Sequence, residues 1–484
     1  MAGKSLKILY LAAEAVPFAK VGGLADVAGS LPKAVRALGH DIRLMIPRYG
    51  TIRSDQFTLE TIGEPFPIPL GPGEEHVHLV GSAAGEVPVY LIWNEQYFSS
   101  RDHVYGFEDD AQRFAVFGRA ALAALYHLDW KPDVIHANDW HTAIVPAWLT
   151  STGQKNPFYR DMATLFTIHN LAYQGIAGRL LLTFAQMERL KHLSVEQPGT
   201  VNWVAQGIAH ADVVNTVSPR YAQEILGPEL GMGLAPLLQE HKDRLYGVLN
   251  GIDYEEWDPA MDAHIPHRFD VKRLARRAAN KTALQQQARL PVQPDVPLVG
   301  MVSRLDQVKG MDLMEPVLEW LLGEDAQFVL LGTGDPRYHE MFERVQARFP
   351  DRMRIYLKFD DVLARRIYAG ADMFLMPSAV EPCGLGQMIA MRYGCVPVAR
   401  ATGGLADTVS DYTARRGHGS GFTFAEYTVE ACQAALKRAL KVYRENKKSW
   451  RALQQRGMKA DFSWAASAQE YVKLYWRAIE AHGA

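Results

Sequence analysis

Short, wholly apolar runs alternate with longer helical patterns in this chain, and the alternation happens twice. The first series comprises LKILYLAA at 6–13, DIRLMI at 41–46, PDVIHA at 132–137, ATLFTI at 163–168 and ADVVNTV at 211–217. Strands apolar on both faces belong to parallel sheets covered by helices on either side. A helical pattern over 24–38 follows the first run, and Gly39 offers its stop. After residue 247 the series restarts with PLVGMVS at 297–303, AQFVLLG at 326–332, RMRIYL at 352–357, ADMFLMP at 371–377 and VPVA at 396–399. Two successive βα arrays predict an α/β chain of two Rossmann-like, doubly wound domains. A length of 484 residues agrees, since single cores rarely grow past ~250–300 residues. The predicted domains run from 1 to 247 and from 259 to 462, with a hinge at 248–258 that carries the turn dipeptide Asn250-Gly251. The Pro- and Gly-rich stretch 59–75 reads as hairpins and loops.

Composition excludes several classes. The 52 Lys+Arg nearly balance 54 Asp+Glu, so neither a nucleic-acid field nor a polybasic membrane signal is present. Three cysteines, Cys383, Cys395 and Cys432, fit neither a disulfide framework nor a zinc site, and they point to a reducing, cytoplasmic compartment. No apolar run approaches the ~18–20 residues of a membrane helix. Glu14 ends the first apolar run early, so a buried strand is expected there in place of a signal peptide.

Polar residues cluster where these strands end, which is where open α/β sheets bind ligands. Lys20-Val21-Gly22-Gly23 precedes the first helix and offers a cation beside backbone N–H groups, although a plain turn would look the same. His136, Asn138, Asp139 and His141 close one strand and His169-Asn170 another. Their spacing is not that of a metal site, and no metal is expected. Arg304 and Lys309 leave the first strand of the second array. Two cations so spaced suit a diphosphate, and the residues alone equally admit a solvated turn. Gly332-Thr333-Gly334-Asp335 ends the next strand and offers a second, weaker anion loop. Glu381 lies beside Gly384, Leu385 and Gly386 at a helix start, placing a carboxylate next to anion-binding N–H groups, as a nucleotide sugar requires. Cys383 reads as a small buried residue. Gly22-Gly23-Leu24-Ala25-Asp26 recurs as Gly403-Gly404-Leu405-Ala406-Asp407, and two independent strand-to-helix turns account for the echo.

Taken in order, KVGGLADV, HANDWHTAIVPAWL, TIHNLAYQG, NTVSPRYAQEI, VLNGIDYEEWDP, NKTALQ, VSRLDQVKGMDL, EPCGL and YGCVPVARATGGLADTV resemble the bacterial glycogen synthase and plant starch synthase family. The matches span residues 20 to 409. The resemblance implies a GT-B fold, two Rossmann-like domains facing across a deep cleft, with a C-terminal helix at 463–484 returning to the first domain. It implies a retaining transfer of glucose from ADP-glucose to the 4-hydroxyl of glycogen or another α-1,4-glucan, with no cofactor. By the same resemblance, Lys20, Gly22, Gly23, Asn250, Arg304, Lys309, Gly384, Leu385 and Gly386 would bind the donor. Glu381, His169, Asp139, Arg304 and Lys309 would carry catalysis, while Tyr97, Phe98 and Arg101 resemble the acceptor-side run.

No glycosidase-like carboxylate pair is visible, so the expected route is front-face substitution driven by positioning and charge stabilisation. The chain departs from the family pattern at Ala379, Val380, Ile389 and Ala205, and at Gly386, where a threonine is usual. These departures leave ADP-glucose against UDP-glucose open. They also motivate a catalytically silent glucan-binding homologue as a second reading. A pyridoxal-dependent phosphorylase is a third, disfavoured by the chain's length. A homo-oligomer is admitted but not specified.

Overall fold

The computed structural model describes residues 4–82, 85–188, 190, 198–413, 415 and 417–483. The chain forms two compact units. One holds the residues through Gly251 together with those from Trp464 onward, and the other holds Ile252–Ser463.

The first unit contains β1 (Lys7–Leu11), β2 (Asp41–Pro47), β3 (Leu59–Leu70), β4 (Gly73–Ser82), β5 (Val89–Trp93), β6 (Val134–Asn138), β7 (Ala163–Ile168), β8 (Ile176–Gly178), β9 (Thr200–Asn202), β10 (Val213–Thr216) and β11 (Leu245–Gly247). Its main sheet has the order β11-β10-β7-β6-β1-β2-β5-β4-β3, and β8 pairs with β9 separately. The pairs from β11 to β5 are parallel. The chain order reverses between β1 and β6. Every described side chain of β6 and β7 is buried, as their continuous apolar runs require.

The stretch 59–75 forms a hairpin, as expected, with far less loop than its composition suggests. It forms the twelve residues of β3 and begins β4, an antiparallel ribbon at the sheet edge. The prolines Pro65, Pro67 and Pro69 are exposed while Phe66, Ile68 and Leu70 are buried. Proline is tolerated here because the outer side of an edge strand needs no ladder donors.

The second unit contains β12 (Leu298–Val302), β13 (Gln327–Leu331), β14 (Met353–Tyr356), β15 (Met373–Met376), β16 (Val396–Arg400) and β17 (Phe422–Phe424). All pair in parallel in the order β14-β13-β12-β15-β16-β17, the doubly wound order in which ligands sit where the winding reverses. That reversal lies between β12 and β15. These two strands pair only through Val299–Met373 and Gly300–Phe374, whereas β12 and β13 pair over five residues. Beyond Gly300 and Phe374, β12 and β15 are therefore no longer laddered, and their carboxyl ends part. At the amino ends a buried ion pair between Lys281 and Asp372 (2.7 Å) pins them, with Asp372 also accepting from the Leu298 N–H at 2.9 Å.

The C-terminal helix, Trp464–His482, packs on the first unit against β7, β10, β6 and the helix Gly23–Ala37. Tyr475 OH meets His136 Nδ1 at 3.0 Å, and Tyr471 OH accepts from Asn215 at 3.2 Å.

Candidate active site

In the first unit, polar side chains gather at the β1–β6 reversal. Asn138 closes β6 and is fully buried. Its Nδ2 donates to the carbonyls of Leu11 (2.9 Å) and His136 (3.4 Å), so its Oδ1 must be the acceptor. That oxygen accepts from Tyr10 OH at 3.1 Å and pairs with His169 Nε2 at 2.9 Å. His169 therefore carries its proton on Nε2 and presents a lone pair at Nδ1. Burial lowers His169 to about 3, so the ring is a neutral acceptor suited to a hydroxyl.

Asp139 follows at φ 55°, and its Oδ1 accepts the His169 N–H at 2.7 Å. Burial raises its carboxyl to about 7 against that hydrogen bond, with the neighbouring Glu14 charge adding to the rise. Asp139 thus joins the ends of β6 and β7 and fixes the backbone that carries His169. The His136 side chain borders this cluster, edge-on to Tyr10, but makes its hydrogen bonds elsewhere. It is buried between Thr167 and Tyr475 and acts structurally. His141 stacks on Tyr105 with ring centroids 4.8 Å apart, and burial lowers it to about 3. Asn250 is buried, and its Oδ1 has no partner among the described residues.

The glycine loop differs from its expected role. Glu14 Oε2 accepts from the N–H groups of Val21 (2.5 Å) and Gly22 (3.0 Å), so an internal carboxylate already occupies donors expected for a phosphate. Lys20 is half exposed and paired with Asp26 at 2.7 Å. Gly23 opens the helix with nothing within 4 Å of where a Cβ would stand. Sequence reasoning used Glu14 only to end an apolar run. A carboxylate beyond the carboxyl end of a central strand buried from Ile8 to Leu11 was the available signal.

The acceptor-side expectation needs correction. Phe98 is fully buried and Tyr97 nearly so, in a short π-helical turn at Glu95–Ser99. Phe98 meets Tyr49 edge-on, so its side chain supports the loop and is closed to an acceptor. Arg101 donates to Asp109 at 2.7 Å and remains part-exposed.

In the second unit, the gap between β12 and β15 opens as a pocket of about 160 Å³. Met301, Ser303 and Arg304 line it from β12, and Leu375, Met376 and Ser378 from β15. Lys309, Tyr368, Glu381, Gly384, Leu385 and Gly386 complete it. The Lys309 ammonium bridges both Glu381 oxygens at 2.6 and 2.8 Å, and Ser378 Oγ donates to Oε2 at 3.1 Å. An ammonium has three donors, so Lys309 retains one for a ligand oxygen. Arg304 is 62% exposed, 3.6 Å from Asp306, and its guanidinium is accessible.

Backbone geometry sets these positions. Gly310 has φ 80° and lies against the Pro377 carbonyl, where a Cβ would overlap it. Gly384 has φ 72°, and the helix Gly386–Arg392 begins just beyond it, leaving first-turn N–H groups without intrahelical partners. The Gly403-Gly404 echo has a structural use. The Gly404 N–H donates to the carbonyls of Glu381 and Pro382, both at 3.1 Å, which seats the Glu381 loop. Phe359, missed in the sequence reading, is 85% exposed beyond the carboxyl end of β14 and presents a free aromatic face.

Among the described residues no three His, Cys, Asp or Glu side chains converge as a metal site. Within the pocket Glu381 is the one carboxylate among the described residues. What the second unit assembles is a pocket in which two cationic side chains and helix-start N–H groups surround a single clamped carboxylate.

Comparison with known proteins agrees with this chemistry. The family described as starch synthase catalytic domain matches residues 7–240, and glycosyl transferases group 1 matches residues 284–456. Glycogen synthase from Moorella thermoacetica is 48% identical over 99% of this chain and 98% of its own length. Glycogen synthase from Syntrophotalea carbinolica is 44% identical over 99% and 100%. The catalytic domain of starch synthase IV from Arabidopsis thaliana, solved bound to ADP and acarbose, superposes with a TM-score of 0.91 at 36% identity, covering 99% of this chain and 100% of that one. Sucrose-phosphate synthase from Thermosynechococcus elongatus shares the fold, with a TM-score of 0.60 at 19% identity over 98% and 100%. The fold is that of the GT-B glycosyltransferases. The chain belongs to the glycogen synthase and starch synthase family.

Proposed function

We propose that this enzyme transfers glucose from ADP-glucose to the non-reducing 4-hydroxyl of an α-1,4-glucan, with retention of configuration. The pocket at the β12–β15 reversal carries the reading, because it gathers Arg304, Lys309 and Glu381 at the doubly wound ligand position. Arg304 and the remaining Lys309 donor bind the diphosphate and stabilise the charge it acquires on leaving. Backbone donors of Gly384, Leu385 and Gly386 add to that hold. Glu381, clamped by Lys309 and Ser378, orients the glucose hydroxyls. Phe359 offers its open face to the nucleobase. His169 accepts from a sugar hydroxyl through Nδ1, and Asp139 holds it there. Asn250 turns its unpaired oxygen to the same sugar, Lys20 neutralises donor charge, and Arg101 serves the acceptor side.

With one carboxylate in the pocket, the leaving phosphate accepts the proton of the attacking 4-hydroxyl on the same face. No metal or organic cofactor takes part. The donor is a nucleotide sugar, the acceptor a glucan, and the compartment the cytoplasm. Cys383, Cys395 and Cys432 are buried thiols, which supports that compartment. No helix among the described residues is long and apolar enough to cross a membrane.

The test is nucleoside diphosphate release from labelled ADP-glucose and UDP-glucose, with and without glycogen. Glycogen-dependent ADP release with label entering polymer supports the reading. Release mainly from UDP-glucose replaces the donor. No release from either donor alongside retained glycogen binding would favour the silent homologue.

A further inference from the structure

The pocket contains one polar atom that these roles leave unused. Tyr368 stands on the helix Asp361–Gly370, is 5% exposed, and lines the pocket with Arg304, Lys309 and Gly386. Its ring is held by Phe374, with centroids 5.0 Å apart, and edge-on by Trp257 at 6.0 Å. Its backbone is held too. Arg277, buried, donates to the carbonyls of Tyr368 (3.2 Å) and Ala371. The helix also lies tight on β12, because a Cβ at Gly300 would stand 2.6 Å from Ile367 Cγ2. The phenol therefore enters the pocket at a fixed point. No described residue hydrogen-bonds its hydroxyl, although a phenol this buried normally has a partner. Burial pushes its pKa well up, so the hydroxyl keeps its proton.

The second observation concerns Gly386. A Cβ placed there would lie 3.5 Å from the Tyr368 hydroxyl. The family's usual threonine would carry its own hydroxyl one bond from that Cβ. The Tyr368 oxygen thus occupies the neighbourhood that the threonine hydroxyl would serve, and the missing side chain at Gly386 leaves it room. With Arg304 and Lys309 lining the same pocket, the acceptor this geometry suits is anionic.

We propose that Tyr368 is a donor-binding residue whose hydroxyl donates to the diphosphate of the bound nucleotide sugar, replacing the hydroxyl that position 386 lacks in this chain. The proposal rests on the donor-site reading above.

The experiment measures ADP and adenosine affinity, melting temperature and kcat/KM for ADP-glucose in four variants: Tyr368→Phe, Gly386→Ser, the two combined, and Arg304→Ala. Tyr368→Phe is expected to lose about tenfold in ADP affinity and kcat/KM, the worth of one hydrogen bond to a charged group. Adenosine affinity and melting temperature should stay unchanged, and adding Gly386→Ser should recover most of the loss. ADP affinity within twofold of the parent in Tyr368→Phe would overturn the proposal. So would an equal loss for adenosine, or a double variant no better than Tyr368→Phe. Arg304→Ala separates the two levels. If it binds ADP as the parent does, the donor-site reading itself falls. If it loses ADP while Tyr368→Phe does not, only the role of Tyr368 falls.

Discussion

Single residues set the chemistry, and their electrostatics can be tested directly. Removing one positioned charge from a developing oxyanion typically costs ~10²–10³ in rate. Arg304→Ala and Lys309→Ala should fall at least that far in kcat with unchanged circular dichroism, and near-normal turnover in either would remove it from the charge-stabilising set. Lys309→Ala also frees Glu381 from its bidentate clamp, so its loss should exceed that of Arg304→Ala. Asp139 makes a separate prediction. Its folded pKa is raised to about 7, so the folded state favours the protonated acid, and that contribution is lost as pH rises through 7. Asp139→Asn stays neutral and should melt above the parent at pH 8, with the gap narrowing as pH falls towards 5. A gap independent of pH would show that Asp139 is not the titrating group. The sequence placed Arg304, Lys309, Glu381, Asp139 and His169 correctly at strand ends, because strand ends are readable from apolar runs. It missed Tyr368 and Glu14, because what singles them out is the atom across from them. Nothing in the order of residues says that a phenol twelve positions after a strand faces a glycine eighteen positions further on.

At the scale of elements, β12 and β15 act as a pair joined at one end and parted at the other. The Lys281–Asp372 ion pair sits at the joined end, where Lys281 Nζ also lies 2.8 Å from the Pro294 carbonyl and 2.9 Å from Tyr443 OH. Lys281→Met strands the buried Asp372 carboxylate and should destabilise the second unit by about 3–5 kcal/mol, as breaking a buried pair does. Denaturant titration would check this, and a cost under ~1 kcal/mol would mean that water reaches the pair. The strands and helices of both arrays were legible because apolar runs of four to eight residues stand against amphipathic spacing. For the ribbon β3–β4 the hairpin was legible but the length of its first strand was not, since three prolines in LETIGEPFPIPL read as loop until the strand is known to be an edge. Phe98 misled for a related reason. A motif marks a loop as functional without saying which of its side chains turns inward.

For the whole molecule, the pH response of the chain's last turn can be read from one contact. His482 Nδ1 lies 3.1 Å from Asp212, and this hydrogen bond raises the imidazole from 6.5 to about 9. A raised basic group stabilises below its unfolded pKa, and that contribution is lost as pH climbs through the folded one. Amide exchange in the last turn of the C-terminal helix should therefore quicken, beyond its intrinsic pH dependence, between pH 6.5 and 9. His482→Ala should abolish that excess, and an unchanged excess would place the titration elsewhere. The return of this helix to the first unit has a further consequence, for synthesis. A ribosome releases the first sheet well before residues 464–482, with all of the second unit made in between. Through that interval the nascent chain carries His136 and Asn215 without Tyr475 and Tyr471, an open polar seam that the last helix closes. A fragment ending at Gly251 should thus fold fully only when a peptide spanning 464–482 is supplied, and the enzyme's first-made half is the last to be finished.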